Sequence, residues 1–297
     1  MSAFPGAPRQ DSLKAGILVI LFGILLLSGV DVLNKLLGQR LSVVQILWVR
    51  FMVFVPLAAA IAWRRDRGIA WRSKRPLLQL ARAALLVIEM GMFVAALKYL
   101  PLADVQSILA SAPLMVVALS VPFLGETVGW RRWSAVAAGF VGVLIIVRPG
   151  FAEIGTGTVL ALIGTAMWAV YQIMLRLVGR DDPASTTALW TATVGLAMTT
   201  AVAPFHWTPP GPEGWAMLGA IALLGAGGHM ALTKAFALAP ASALQPFTYG
   251  QLLLAGLFGW LIFDDVPDGW TVAGAGLIVC AGLYSLHRRR VREATAG

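Results

Sequence analysis

Residues 96–126 read ALKYLPLADVQSILASAPLMVVALSVPFLGE, and residues 235–265 read AFALAPASALQPFTYGQLLLAGLFGWLIFDD. Sliding the chain by 139 positions superimposes Ala96, Pro101, Gln106 and Glu126 on Ala235, Pro240, Gln245 and Asp265. Between proline and acidic residue, each stretch holds an apolar run long enough to cross a hydrocarbon core about 30 Å thick as a helix. Both runs are interrupted in the same half. The first carries Gln106-Ser107-Ile108 and Ser111-Ala112-Pro113; the second carries Gln245-Pro246-Phe247 and Tyr249. Pro and Ser within such a helix disturb backbone pairing, which is tolerated only where protein or a watery cavity supplies new partners. The pattern predicts two related membrane segments bordering a polar path.

Working outward, a shift of 141 aligns Gly16, Leu21, Gly23, Leu36 and Gly38 with Gly157, Leu162, Gly164, Leu177 and Gly179, and Lys35 with Arg176. Nearly equal offsets at the start and end of one block define an internal repeat. Apolar runs place spans at 14–36, 41–63, 76–99, 102–124, 131–148, 156–178, 184–206, 214–237, 241–263 and 270–287. Turn residues separate them at Pro101, Gly125-Glu126, Arg148-Pro149-Gly150, Asp181-Asp182-Pro183, Pro209-Pro210-Gly211 and Asp264 through Pro267. Each repeat then has five spans, an odd number, so the second copy enters the membrane the other way up. Inverted repeats of this kind are a transporter signature, with the substrate path at the interface of the halves. The expected organisation is a tail at 1–13, repeats at 14–148 and 156–287, and a basic tail at 288–297.

Composition agrees. Of 297 residues 59% are hydrophobic and 12% charged, with a mean hydropathy of +0.80. A soluble domain carries about twice that charge, so a soluble enzyme, a disordered chain and a secreted disulfide scaffold are excluded. The net charge of +9 is spread over short hydrophilic breaks rather than gathered on a nucleic-acid-binding face. With ten spans both termini share a face. The segments on that face hold sixteen Lys and Arg; the opposite loops hold Lys35, Arg40, Lys98 and Arg148, with the acidic group Asp264, Asp265 and Asp268. The excess predicts a bacterial inner-membrane protein with both ends in the cytoplasm. The lone Cys280 lies in an apolar run without metal-ligand spacing. No HExxH, GxSxG or P-loop motif is present, so neither metal nor any other cofactor is expected.

The segment Ala96 through Ala103, the following Pro113, Leu124-Gly125-Glu126 and the closing run Gly139–Val147 resemble the EamA repeat of the drug/metabolite transporter superfamily. A degraded version follows at Ala235 through Ser242 and Phe263-Asp264-Asp265, departing from the pattern where Asp265 replaces Glu. The resemblance implies an all-α polytopic protein, ten helices in two inverted five-helix bundles around a central cavity. It also implies export of small metabolites, often amino acids, by alternating access. Within the family the chain looks most like the aromatic amino-acid exporters. Within the same family the alternatives are drugs or lipophilic cations, vitamins and nucleotide sugars. The last would demand more cavity Arg and Lys than the chain offers. A membrane enzyme would need His, Asp or Glu clustered at one face, and the three His are scattered; a sensor or scaffold is the remaining rival. The expected partners are the bilayer and a small molecule, with the chain a monomer or weak dimer.

Ionisable and polar residues within spans are the candidates for the path, because each costs a few kcal/mol in hydrocarbon. Ser28, Asp31 and Asn34 share one face of the first span. Glu89 lies mid-span on a face with Gln79, Arg82 and Leu86, and Arg50 is at middle depth in the second span. Glu89 is either a cavity carboxylate or half of a structural pair with Arg50 or Arg82. Arg82 and Lys234 are close enough to an end to snorkel. In the sixth span Trp168, Tyr171 and Gln172 suit an aromatic wall opposite the polar one. Ser111, Tyr249 and His229 complete the cavity set, and Gln106 with Gln245 are gate candidates. The small residues Ser134, Ala138 and Gly142, with Gly276 and Cys280, read as packing stripes.

Overall fold

The computed structural model describes residues 10–66, 71–149 and 154–295, with side chains at 12–63, 71–149, 154–240, 243, 244 and 246–287. Most of the expected N-terminal tail, Arg67 and Gly150 lie outside these residues. Among the described residues twelve α-helices follow in order: α1 Gln10–Gly38, α2 Val43–Asp66, α3 Pro76–Ala96, α4 Leu102–Leu109, α5 Ala112–Leu124 and α6 Trp130–Val147. The second half has α7 Thr156–Val178, α8 Ala184–Val202, α9 Pro212–Leu238, α10 Ala241–Thr248, α11 Gly250–Phe263 and α12 Gly269–Thr295. Among the described residues ten stretches are long and apolar enough to cross a membrane. Two expected ends shift. Helix α1 begins at Gln10, and α12 continues to Thr295 through the expected basic tail, whose arginines are good helix formers.

The fourth and ninth spans are broken, and at equivalent points. Helix α4 and helix α10 each have eight residues, and both ends differ by 139 positions, Leu102 to Ala241 and Leu109 to Thr248. Pro113 in the first turn of α5 lacks the N–H that would carry α4 through, so the chain turns at Ala110 and Ser111. The second break falls at Tyr249 before Gly250, a residue of low helix propensity. Both spans end on a left-handed residue, Gly125 at φ 69° and Asp264 at φ 56°, again 139 apart. Asp is among the few side chains that adopt this conformation readily, so the second copy keeps the turn without glycine.

The two repeats interlock. Helix α1 packs on α9, α3 on α7, α2 on α8 and α6 on α12, each pair taking one helix from each half. At the α6–α12 contact a Cβ at Gly142 would sit 2.8 Å from the Gly274 carbonyl and 2.7 Å from Ile278. Of the expected stripe on α6, Gly142 lies in the α12 contact and Ala138 is half-buried, while Ser134 is exposed. On α12, Gly276 has open space beside it and Cys280 is exposed, so the expected Gly276–Cys280 stripe faces away. Spacing alone does not fix the phase of a helix, which is set by its partner. At the face opposite the chain ends, Leu97, Leu102, Ile108, Val143 and Ile278 form a buried apolar plug.

Candidate functional site

Asp31 of α1 is buried where the two broken spans meet. One of its carboxylate oxygens accepts hydrogen bonds from Gln106 of α4 at 2.8 Å and from Gln251 of α11 at 2.9 Å. The amide donors therefore come from opposite repeats. Arg50 of α2 interacts electrostatically with both Asp31 and the buried Glu89 of α3. Its guanidinium approaches α9, where a Cβ at Gly225 would lie 4.0 Å from Nη2. His229, one turn further along α9, is within electrostatic reach of Arg50 and remains exposed. Asp31, Arg50 and Glu89, from three helices, thus share one central region, and the exposed His229 stands at its edge. Buried charges persist only when paired or solvated by polar groups, and here the partners come from both halves.

Ser28, Asp31 and Asn34 are all buried on the expected face of α1. Ser28 Oγ has no hydrogen-bond partner among the described residues, leaving a hydroxyl free within the bundle. Next to this region a small cavity is lined by Glu89, Phe93, Val105 and Leu109 from one repeat, and Leu160, Ala161, Gly164 and Thr165 from the other. On the same helix α7, Trp168 and Tyr171 stack with centroids 5.2 Å apart and an interplanar angle of 20°. They and Gln172 are half-buried. Helix α4 packs against both α1 and α7, the polar and aromatic sides of this region.

Arg82 does not snorkel. It is fully buried and donates to Gln79 Oε1, the Thr187 carbonyl, Thr191 Oγ1 and, at 3.3 Å, the Tyr171 hydroxyl. Its guanidinium carbon lies 5.5 Å from the Tyr171 ring centroid. The fork of donors is used on neutral oxygens, so the Arg82–Glu89 alternative is not formed. Gln79 extends the network by donating to Asp182 Oδ2 at 2.9 Å and to Thr187. Asp182, in the turn before α8, also accepts the Lys74 amide at 2.9 Å and the Ser73 hydroxyl. This network braces α3, α7 and α8 at the face bearing the chain ends and fixes the edge of Tyr171.

The model of the EamA-like transporter family matches residues 14–148 and 155–286. The chain belongs to this family. It is 25% identical to an S-adenosylmethionine uptake transporter of Rickettsia felis, over 95% of this chain and 96% of that one. It is 30% identical to a riboflavin transporter of Rhizobium johnstonii, over 83% and 86%. A pseudopaline exporter of Pseudomonas aeruginosa is 25% identical over 91% and 95%. The family expected from residues 96–126 is the one found. The narrower likeness to aromatic amino-acid exporters is replaced by a wider one, since these relatives are named for a sulfonium metabolite, a vitamin and pseudopaline.

Within this EamA-like chain the remaining expected residues divide. The buried Ser111 donates to the Ile108 carbonyl at 2.7 Å, satisfying a backbone acceptor at the break of the fourth span. The Tyr249 hydroxyl lies against Gly282 of α12, where no side chain would fit. Lys234 is exposed near its helix end, as a snorkelling residue would be. The side chain of Gln245 lies outside the described residues. Gln251, Thr187 and Thr191 are absent from the sequence reading, in which Asp182 figures only as a turn residue. Gln251 was signalled only as an amide inside an apolar run, immediately after the Tyr249-Gly250 break.

Proposed function

We propose that this chain is a secondary transporter of small amino-acid-type metabolites, aromatic ones included, working by alternating access and exporting when the gradient points outward. The observation that carries the reading is the central group of Asp31, Arg50 and Glu89 beside the Trp168–Tyr171 stack. An amino acid has an ammonium, a carboxylate and a side chain. Asp31 or Glu89 meets the first, Arg50 the second, and the aromatic pair offers a flat apolar surface to the third. Ser28, Asn34, Gln172 and His229 supply further polar contacts. Gln106 and its repeat partner Gln245 act at the gates, Gln106 through its bond to Asp31. The excess of basic residues on the terminal face supports an orientation with both ends in the cytoplasm of a bacterial inner membrane.

Counterflow in liposomes tests this reading. Liposomes containing the purified protein and preloaded with unlabelled substrate are expected to accumulate labelled Trp, Phe, Met or Thr above protein-free liposomes; equality across the whole panel overturns it. A second reading is favoured by the stacked aromatic pair together with the relatives' names: a flat heterocycle such as riboflavin, or S-adenosylmethionine, which joins an amino-acid end to adenine. Including both in the panel, with thermal-shift ranking of the same ligands, separates the readings.

A further inference from the structure

Two ion pairs in this structure are one pair made twice. Lys35 shifted by 141 positions is Arg176, and Glu126 shifted by 139 is Asp265. Lys35, at the end of α1, meets Asp265 of the turn after α11 at 2.5 Å. Arg176, at the end of α7, meets Glu126 of the turn after α5 at 3.5 Å. The first lies at the face opposite the chain ends and the second at the terminal face, as inversion of the repeat requires.

The two are equivalent by descent but not by state. Lys35 is 10% exposed at its side chain and Asp265 30%, against 45% and 40% for Arg176 and Glu126. Lys35 also donates to the Leu100 carbonyl at 3.2 Å and lies 4.7 Å from the Phe263 ring centroid. The surrounding helices share the asymmetry. Helix α4 packs on α11 and α12 beside Lys35, whereas among the described residues its counterpart α10 makes no comparable approach to α5 or α6. A second repeat-related set behaves differently. Arg40–Glu213 at 3.0 Å and Arg75–Asp181 at 2.7 Å occupy nearly equivalent positions with their charges exchanged, and both are close, unlike the 2.5 Å and 3.5 Å of the first set. Those pairs tie the start of α9 to the α1–α2 turn at one face and the start of α3 to the α7–α8 turn at the other.

We infer that Lys35–Asp265 and Arg176–Glu126 are the two alternating latches of the transport cycle, one shutting each mouth of the path between the repeats. In this conformation the first is shut and the second relaxed; the opposite conformation exchanges the roles. The inference rests on the transport reading above. It adds the residues that set which mouth is closed, with Gln106 and Asp31 lying deeper beneath the first latch.

The test uses the full chain with Cys280→Ala and a single reporter, Leu109→Cys, on the cavity wall. A membrane-impermeant maleimide is applied from either side of the membrane. Lys35→Gln is expected to raise labelling from the opposite face by about threefold or more and lower it from the terminal face, as loss of a differential contact shifts a two-state equilibrium. Arg176→Gln is expected to do the reverse. The exchanged pair Lys35→Asp with Asp265→Lys is expected to restore the parent pattern, which also separates latching from misfolding. Single variants that move labelling in the same direction, or leave it unchanged, overturn the inference. The labelling readout needs no substrate, so a failed counterflow panel with intact reciprocal labelling would remove the substrate reading and leave the latches.

Discussion

Gln251 Nε2 donates to Asp31 Oδ2 at 2.9 Å across 220 residues of chain, joining the first helix of one repeat to the helix that follows the break in the other. A hydrogen bond to a charged group contributes about 1.5–3 kcal/mol. Gln251→Leu is expected to leave Asp31 held by Gln106 alone and to lower counterflow by about tenfold or more. The protein should still elute as a folded species on size exclusion, because Gln251 is only half-buried. Unchanged counterflow would show that the Gln251 bond does not position the carboxylate for transport.

The Trp168–Tyr171 stack makes a selective prediction. Aromatic stacking is worth about 0.5–1.5 kcal/mol beyond area, so Trp168→Ala is expected to weaken binding of Trp, Phe or riboflavin by roughly threefold to tenfold. Threonine, which has no ring, should be much less affected. Competition counterflow with both classes in one experiment reads the ratio directly, and an equal loss for both would assign Trp168 to packing.

Asp182 carries a pH prediction. Its partial burial acts to raise the carboxyl pKa, but bonds from Ser73, Gln79 and the Lys74 amide, with the Lys74 charge, outweigh burial and hold it below the ordinary 3.8. A carboxyl depressed in the folded state stabilises it above the unfolded pKa and loses that contribution as pH falls through the folded one. Asp182→Asn is therefore expected to cost roughly 1–3 kcal/mol at neutral pH, the range for disturbing a buried hydrogen-bonded charge. The gap should close as pH drops below 3.8. Thermal unfolding in detergent, for both proteins across that range, checks the sign.

Packing at the α6–α12 contact gives a structural prediction. Gly142→Leu has no space, with the Gly274 carbonyl 2.8 Å from the position of its Cβ. Overpacking of this kind costs about 1–3 kcal/mol, and more where the obstacle is backbone. A lower melting temperature is expected, whereas Gly276→Leu, beside open space, should be nearly neutral.

The repeat and its inversion could be read directly from the chain. Ten apolar runs have only one way to satisfy their backbone in hydrocarbon, and offsets of 139 and 141 recur at Pro101 and Pro240, Lys35 and Arg176. The break in the fourth span was likewise foreshadowed by Ser111 and Pro113, whereas Pro246 lies inside α10 and the ninth span breaks three residues later, at Tyr249. Buried polarity on α1 was legible too, since Ser28, Asp31 and Asn34 fall on one face by spacing alone.

What the tertiary structure decided was partnership. Helical periodicity places Arg82 on the face of Glu89, yet its donors turn to Gln79, Thr187, Thr191 and Tyr171 because α7 and α8 bring oxygens closer. Asp31 shows the same logic, taking Gln106 from one half and Gln251 from the other. A sequence states how far into the membrane a side chain falls and on which side of its own helix. Which helix faces it depends on how two interlocked repeats pack, and that is settled by the sum of many weak contacts at distances no local pattern records.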